Sequence, residues 1–481
     1  MRGKRYLAAV LFGMVVTIKT KAETSSLRLP QADGVSSLTA PKPETSKPAQ
    51  VYGQIRFEGM QYLTPIESQP QLTYSQLLSA RLSSIKETHY ADFAGDISGG
   101  TFFSRGQSHY VVHEAYVASN TSLSKTFKAT LGRRKFDWSE MDKRWQLGLW
   151  QPNFAIDALR PEEQGLVGIF LEDTRPNLQF VVFGSPLFIP TMGPDIHEED
   201  GGLVADSRWY RSPSRKYDFN SRVNSIQYDL DVPDAMKLAS NQSIAAMTRI
   251  GSKEQGPWMV VSAGRMPVND LILSRQNFKS ASSDQVDVTV VPAVTYHTLV
   301  STDVGYTSGN VTTSVSYSED KPQEKRPDED WSIQKLEAIK AFSFATDFSL
   351  ADIFSRTLAI QLGYLKVDGG GIQDILYDGQ PDDFTLFDTR TKFYNAAQFR
   401  VEGQLASLWK RPLVTRFKYL YDFDQRGSLL NTEFLYYPSQ KWALLMGADV
   451  LGVQDNLHDE SGFLNQYRAN DRLYGGMTYV F

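Results

Sequence analysis

The chain has 481 residues, 50 basic and 55 acidic, with a formal net charge of -5, no cysteine, 41% hydrophobic and 12% aromatic residues. That apolar content excludes wholesale disorder, and near-neutrality without a basic block argues against nucleic-acid binding. Lack of cysteine removes disulfides, thiolate metal ligands and a thiol nucleophile.

A basic cluster, Arg2, Lys4 and Arg5, opens the chain, followed by an apolar stretch from Tyr6 to Ile18. The stretch falls well short of the ~20 residues a spanning helix needs. With the small residues Thr20 and Ala22 after it, the segment 1–22 is expected to be an export signal. Residues 23–50 are Ser, Thr, Pro and Lys with few large apolar groups, the composition of a disordered periplasmic tail or linker.

From Val51 onward the recurring signal is alternation. Val51, Ile55 and Phe57 oppose Gln54, Arg56 and Glu58, and Phe127, Ala129 and Leu131 oppose Lys128, Thr130 and Arg134. Phe393, Ala397, Phe399 and Val401 oppose Lys392, Gln398, Arg400 and Glu402, and Leu413, Phe417, Tyr419 and Tyr421 oppose Arg416, Lys418 and Asp422. A period of two means strands with one apolar and one polar face. No apolar run reaches the ~18 residues of a helical span. The strands read as ~10 to 14 residues, against about 5 to 6 in globular proteins. Aromatics gather at strand ends, as in Leu435-Tyr436-Tyr437.

Connections alternate in length. Short ones fall at Asn120-Thr121-Ser122, Thr174-Arg175-Pro176, Ser308-Gly309-Asn310 and Pro438-Ser439-Gln440; long ones run from Asp137 to Gln164, Ile189 to Tyr217, Glu319 to Asp328, Asp368 to Thr389 and Gln454 to Ala469. Short turns on one rim and long loops on the other describe a transmembrane antiparallel β-barrel over 51–481, all-β, with about 18 strands in a range of about 16 to 20. In this parse Pro267 to Gln285 lands as a long connection on the short-turn side.

The chain ends Leu473-Tyr474-Gly475-Gly476-Met477-Thr478-Tyr479-Val480-Phe481. Gly476, Tyr479 and Phe481 resemble the assembly signal of Gram-negative outer-membrane β-barrel proteins, in which aromatics alternate toward a terminal Phe. Tyr474 stands where a plainly polar residue is usual. Gly132 to Trp138 is similar to the strand-to-loop passages of porin-like families. The resemblance implies a bacterial outer-membrane location, with lipid, barrel-assembly machinery and small polar solutes as partners. It implies no cofactor and no nucleic acid, and association into a homo-oligomer is compatible with it.

A barrel of about 18 strands is too wide for side chains to fill, so its inner face sets selectivity. Candidate lining groups are Gln54, Arg56, Glu58, Lys128, Arg134, Gln398, Arg400, Glu402, Arg416, Lys418 and Asp422. They either orient passing solutes or pair across strands to stabilise the wall, and the two readings stand level. The best constriction candidate is the loop carrying Trp138, Glu140, Asp142, Arg144, Trp145 and Trp150, against the plainer reading of an external loop packed on its own aromatics. The acids around Asp195 to Asp200 and at Asp374, Asp378, Asp382 and Asp383 read as solvated rather than cation-binding. His109 and His113 would lie roughly 13 Å apart on a strand, too far to share a metal. No Gly-x-Ser-x-Gly or His-Glu-x-x-His occurs, so no catalytic or metal site is expected. The leading function is a porin-like channel for passive diffusion of small hydrophilic solutes. Its alternatives are a non-conducting barrel serving as export-machinery partner or surface adhesin, and a soluble β-rich binding protein.

Overall fold

The computed structural model describes residues 49–66, 70–120, 123–219, 222–279, 285–353, 356–382, 390–454 and 462–481. The expected export signal, the expected tail up to residue 48, Thr121, Ser122, Asp383 and residues 455–461 lie outside the described residues.

Eighteen strands form one sheet: β1 Gln50–Tyr62, β2 Tyr74–Glu87, β3 Ala91–Phe102, β4 Gln107–Ser119, β5 Phe127–Arg134, β6 Leu166–Arg175, β7 Leu178–Ser185, β8 Ser243–Ser252, β9 Gln255–Pro267, β10 Tyr296–Ser308, β11 Val311–Pro322, β12 Ile339–Ile353, β13 Arg356–Gly369, β14 Asn395–Leu408, β15 Arg411–Asp422, β16 Gly427–Tyr436, β17 Trp442–Val453 and β18 Arg472–Val480. Each pairs antiparallel with the next, and β18 closes on β1 with Ile55 opposite Tyr479 and Phe57 opposite Met477. Beyond β18 the backbone of Phe481 exchanges hydrogen bonds of 3.0 and 2.9 Å with Gly53. The Phe481 ring lies across Gly53, where a Cβ would sit 2.3 Å from it. The eighteen-stranded sheet thus leaves no edge open among the described residues, as a bilayer without hydrogen-bonding solvent requires.

The alternation is inverted relative to a water-soluble sandwich. Along β10 the outward residues include Val300, Val304 and Tyr306, all exposed, while His297, Leu299, Ser301 and Asp303 are buried inside. The exposed set continues across register partners, from Val304 to Val315 to Phe344 to Tyr364, and from Leu362 to Phe399 to Tyr419. A closed barrel with such a belt is a transmembrane barrel of the outer-membrane type.

One rim carries tight turns, including 176–177, 253–254, 309–310 and 409–410, and the other carries the long segments 135–165, 186–242, 268–295, 323–338, 370–394 and 454–471. The connection after Pro267 therefore belongs to the long-loop rim, correcting the parse above. The cause is a hairpin within that loop, Ile272–Lys279 paired with Gln285–Ala293, whose alternation imitates barrel strands. Likewise β6 continues to Arg175, where a short turn was expected, and β11 to Pro322, inside the long connection expected from Glu319 to Asp328.

Four of the long loops contribute strands to a second, six-stranded sheet: Lys216–Phe219, Arg222–Leu230, Gln285–Ala293, Ile272–Lys279, Trp331–Leu336 and Ile372–Leu376. It has its own small cores, one around Ile226, Tyr228, Val288 and Val290 and one around Ile272, Ile333 and Ile375. Asp374 and Asp382 are spent there on the buried Arg275, both at 2.7 Å, and Asp378 accepts from the backbone of Gln380 at 3.0 Å. His197, Glu198 and Glu199 sit exposed on a separate hairpin, Ile196–Glu199 with Gly202–Ala205.

Candidate functional site

The segment between β5 and β6 folds into the barrel. Ser139 caps a short helix, α1 (Glu140–Trp145), accepting from the Asp142 N–H, and Gln146 ends it in the left-handed conformation at φ 53°. The Asp142 carboxylate then accepts from the N–H groups of Leu149 and Trp150 at 3.0 and 2.9 Å, folding the loop back on its own helix. Burial nevertheless pushes the Asp142 carboxyl above its ordinary range. The fold-back stacks Trp138 on Trp150, with ring centroids 5.2 Å apart and planes within 10°. The pair packs among Phe136, Phe170 and Phe183.

The wall receives this aromatic end with small hydroxyl groups. Trp150 Nε1 donates to Ser301 Oγ at 2.8 Å, Trp145 Nε1 to Ser343 Oγ at 2.9 Å, and Ser262 Oγ to the Trp138 carbonyl at 2.6 Å. Asp303 accepts from the Glu140 N–H at 3.1 Å, Lys253 pairs with Glu140, and Arg144 grips Asp347 in a two-pronged contact of 2.9 and 2.6 Å. These partners lie on β9, β10 and β12 or on the turn before β9.

The other end of the segment meets β1, β17 and β18. Arg160 donates to Glu58 at 2.8 Å and to Asp449 at 3.4 Å. Arg472 binds Asp449 at 2.6 Å and Asp157 at 2.7 Å, and Arg56 pairs with Glu58. Burial works against the Asp157 carboxylate, yet Arg472 and Arg160 hold it below the usual range. The Arg160 guanidinium lies 4.0 Å from the centroid of the Tyr474 ring. Tyr474 in turn lies flat on Gly447, where a Cβ would come within 2.4 Å of it, and donates to the Thr432 carbonyl at 3.2 Å. The unusual Tyr474 of the closing strand is thus a seat for the loop. Since β10 and β1 stand half a circuit apart in an eighteen-strand ring, the segment crosses the lumen from wall to wall.

Other loops fill the mouth. Trp209 stacks on Phe463 with planes within 5°, and Arg208, fully buried, is held by Asn470 at 3.1 Å and the carbonyls of Thr64 and Ala469. Lys392 reaches the Ala158 carbonyl at 2.7 Å, and burial, with Lys418 nearby, lowers its ammonium to about 8.

The eleven lining candidates all share the inward parity of their strands, but they differ in setting. Arg400, Glu402, Arg416 and Glu433 form a ladder on β14, β15 and β16 with contacts of 2.9–3.0 Å. Arg134 pairs with Glu172 at 3.2 Å, and Lys128 lies 3.8 Å from Asp92. Gln54 and Lys418 are half-buried, and Gln398 is almost fully covered. Glu58 and Asp422 do not face open lumen, which corrects their nomination as bare wall. Glu58 is sealed by Arg160, while Asp422 accepts from the N–H groups of Tyr394, Asp424 and Gln425 and organises the rim.

Sequence reasoning missed Asp303, Asp347, Asp449, Arg472 and the three serines as partners. Inward parity was the available signal, since Asp449 is the lone acid of its strand and Ser301 and Ser343 stand on the faces opposite Val300, Val304, Phe342 and Phe344. His113 Nε2 meets both Ser98 Oγ at 2.8 Å and Glu162 at 3.0 Å through one nitrogen, so no proton relay through the two ring nitrogens is set up.

No family model matches the chain, and no curated protein matches it. Among solved structures it is similar to OccAB4 of Acinetobacter baumannii at 11% identity, covering 92% of this chain and 100% of that one with a TM-score of 0.45. It is similar to OccK11 of Pseudomonas aeruginosa at 9% identity, covering 90% and 96% with a TM-score of 0.44. It is also similar to OmpF of Salmonella typhi at 10% identity, covering 90% and 97% with a TM-score of 0.38.

Proposed function

We propose that the chain is an outer-membrane channel for passive diffusion of small hydrophilic solutes, narrowed by the loop 135–165 and favouring anionic ones. The observation that carries the charge preference is an asymmetry within the lumenal ion pairs. The Arg56 side chain is 28% exposed against 2% for Glu58, and Arg81 is 26% exposed against 11% for Asp96. At these two pairs on β1, β2 and β3 the carboxylate is covered and the guanidinium turned toward the passage, whereas at Arg144–Asp347 the acid is the more exposed (31% against 13%). In a narrow low-dielectric path exposed cations weigh heavily on the local field. The buried stack of Trp138 on Trp150 and the bridging ion pairs support a rigid constriction rather than a mobile flap. The closing strand, with Gly476, Tyr479 and Phe481, is the part offered to barrel-assembly machinery.

The test is single-channel recording in planar bilayers under a salt gradient. A steady small conductance with a reversal potential on the anion side is expected, shifting toward zero in Arg56→Gln/Arg81→Gln. Persistent silence would favour the non-conducting barrel, and cation preference would refute the charge assignment.

A further inference from the structure

The short-turn rim carries a second site on the outer wall. The turn between β14 and β15 is Trp409-Lys410, and both residues adopt left-handed φ, at 48° and 65°. Neither residue type favours that conformation. The turn thrusts the Trp409 ring outward, 84% exposed, to meet Tyr436 edge-on at 6.0 Å. Arg411 follows with the outward parity of Leu413, which pairs with Tyr436. On the adjoining turn Lys441 precedes Trp442, whose ring lies 4.9 Å from Tyr479, itself stacked toward Phe481 at 6.2 Å. Together Arg411, Ser439, Gln440, Lys441, Trp442 and Tyr479 line an open cleft of about 520 Å³.

Its charge is one-sided. Lys410, Arg411 and Lys441 make no ion pair among the described residues, whereas the exposed Arg175 on the same rim is matched to Asp173 at 2.9 Å. No Asp or Glu occurs in 403–421, 434–448 or 473–481. Beside the cleft Phe481 is tied to β1, its carbonyl oxygen accepting from the Gly53 N–H at 3.0 Å. Two of these cations, Arg411 and Lys441, line the cleft beside Trp442 and Tyr479, at the depth where acyl chains give way to headgroups, since Met446 and Leu444 continue the same outward face into the apolar belt.

We propose that this cleft binds the headgroup of an anionic phospholipid of the periplasmic leaflet: the phosphate lies between Arg411 and Lys441, Ser439 and Gln440 supply neutral hydrogen bonds, and Trp442 and Tyr479 flank the glycerol and upper acyl chains. Guanidinium and ammonium groups beside aromatic faces match phosphate above and hydrocarbon below.

The experiment is native mass spectrometry of the full protein in detergent with phosphatidylglycerol or phosphatidylcholine at equal concentration. Wild type should retain phosphatidylglycerol preferentially. Arg411→Gln/Lys441→Gln should retain roughly 25-fold less, about fivefold for each cation removed. The rim control Lys86→Gln/Lys125→Gln should be unchanged, with heat-modifiable gel mobility reporting folding of each variant. Equal retention of both lipids by wild type would overturn the proposal and needs no variant. So would full retention by the folded double variant, or an oligomer of this chain that the double variant dissolves, which would assign the patch to contact between copies.

Discussion

The two ends of the loop that crosses the lumen are held by opposite physics. At the β9–β12 wall, tryptophan rings are buried against apolar neighbours, the indole N–H groups of Trp150 and Trp145 each meet one hydroxyl, Ser301 or Ser343, and the ion pairs Arg144–Asp347 and Lys253–Glu140 stay partly open to water. At the β17–β18–β1 wall, Arg56, Arg160 and Arg472 balance Asp157, Asp449 and Glu58 in a mostly buried place. The aromatic end can lose one contact and keep most of its burial. The ionic end is collectively balanced, so removing one member strands the others without solvent. Shape is stored at one end and register at the other.

Four substitutions test that contrast, from the largest effect to the smallest. Asp449→Ala leaves Arg472 and Arg160 short of charge in the buried network and should cost about 3–5 kcal/mol. Urea-dependent loss of heat-modifiable mobility measures it, and a rise in conductance should accompany it. Trp150→Ala removes the stacked ring and should cost about 3 kcal/mol, with noisier open-channel current as the loop loosens. Ser301→Ala leaves one buried indole N–H without its acceptor and should cost about 1–2 kcal/mol. If it matched Asp449→Ala in size, the distinction between the two ends would fail.

The smallest effect is a slope with pH at Glu163. Burial, then the neighbouring Asp142, raises its carboxyl to about 7 from the ordinary 4.5. The docked loop therefore holds this proton at pH values where the released loop has lost it. Docking is strongest below about 4.5, weakens as pH rises, and levels off above about 7. Glu163→Gln should flatten that dependence in the same urea assay, and an unchanged slope would discount the shift.

The outward belt was legible because it obeys a local rule: every second residue meets hydrocarbon, so Phe399 and Tyr419 declare their face from parity alone. The hairpin in 268–295 misled for the same reason, since period two marks any strand with two unlike faces, whether or not it lies in the barrel wall. Parity also nominated Arg416 and Glu402, though not whether their charge met solute or each other. Their 2.9 Å contact depends on the register of two strands.

Composition and alternation by themselves determined a closed antiparallel barrel, because hydrogen-bond closure in lipid admits few other solutions for such strands. Which way the loop 135–165 turned was a tertiary decision. Trp138, Asp157 and Arg160 would suit an external loop equally well until Ser301, Asp449 and Arg472, far away along the chain, are brought around the ring to meet them. Contacts between opposite walls of a cylinder follow from its circumference and register, and neither is written in the neighbourhood of any one residue.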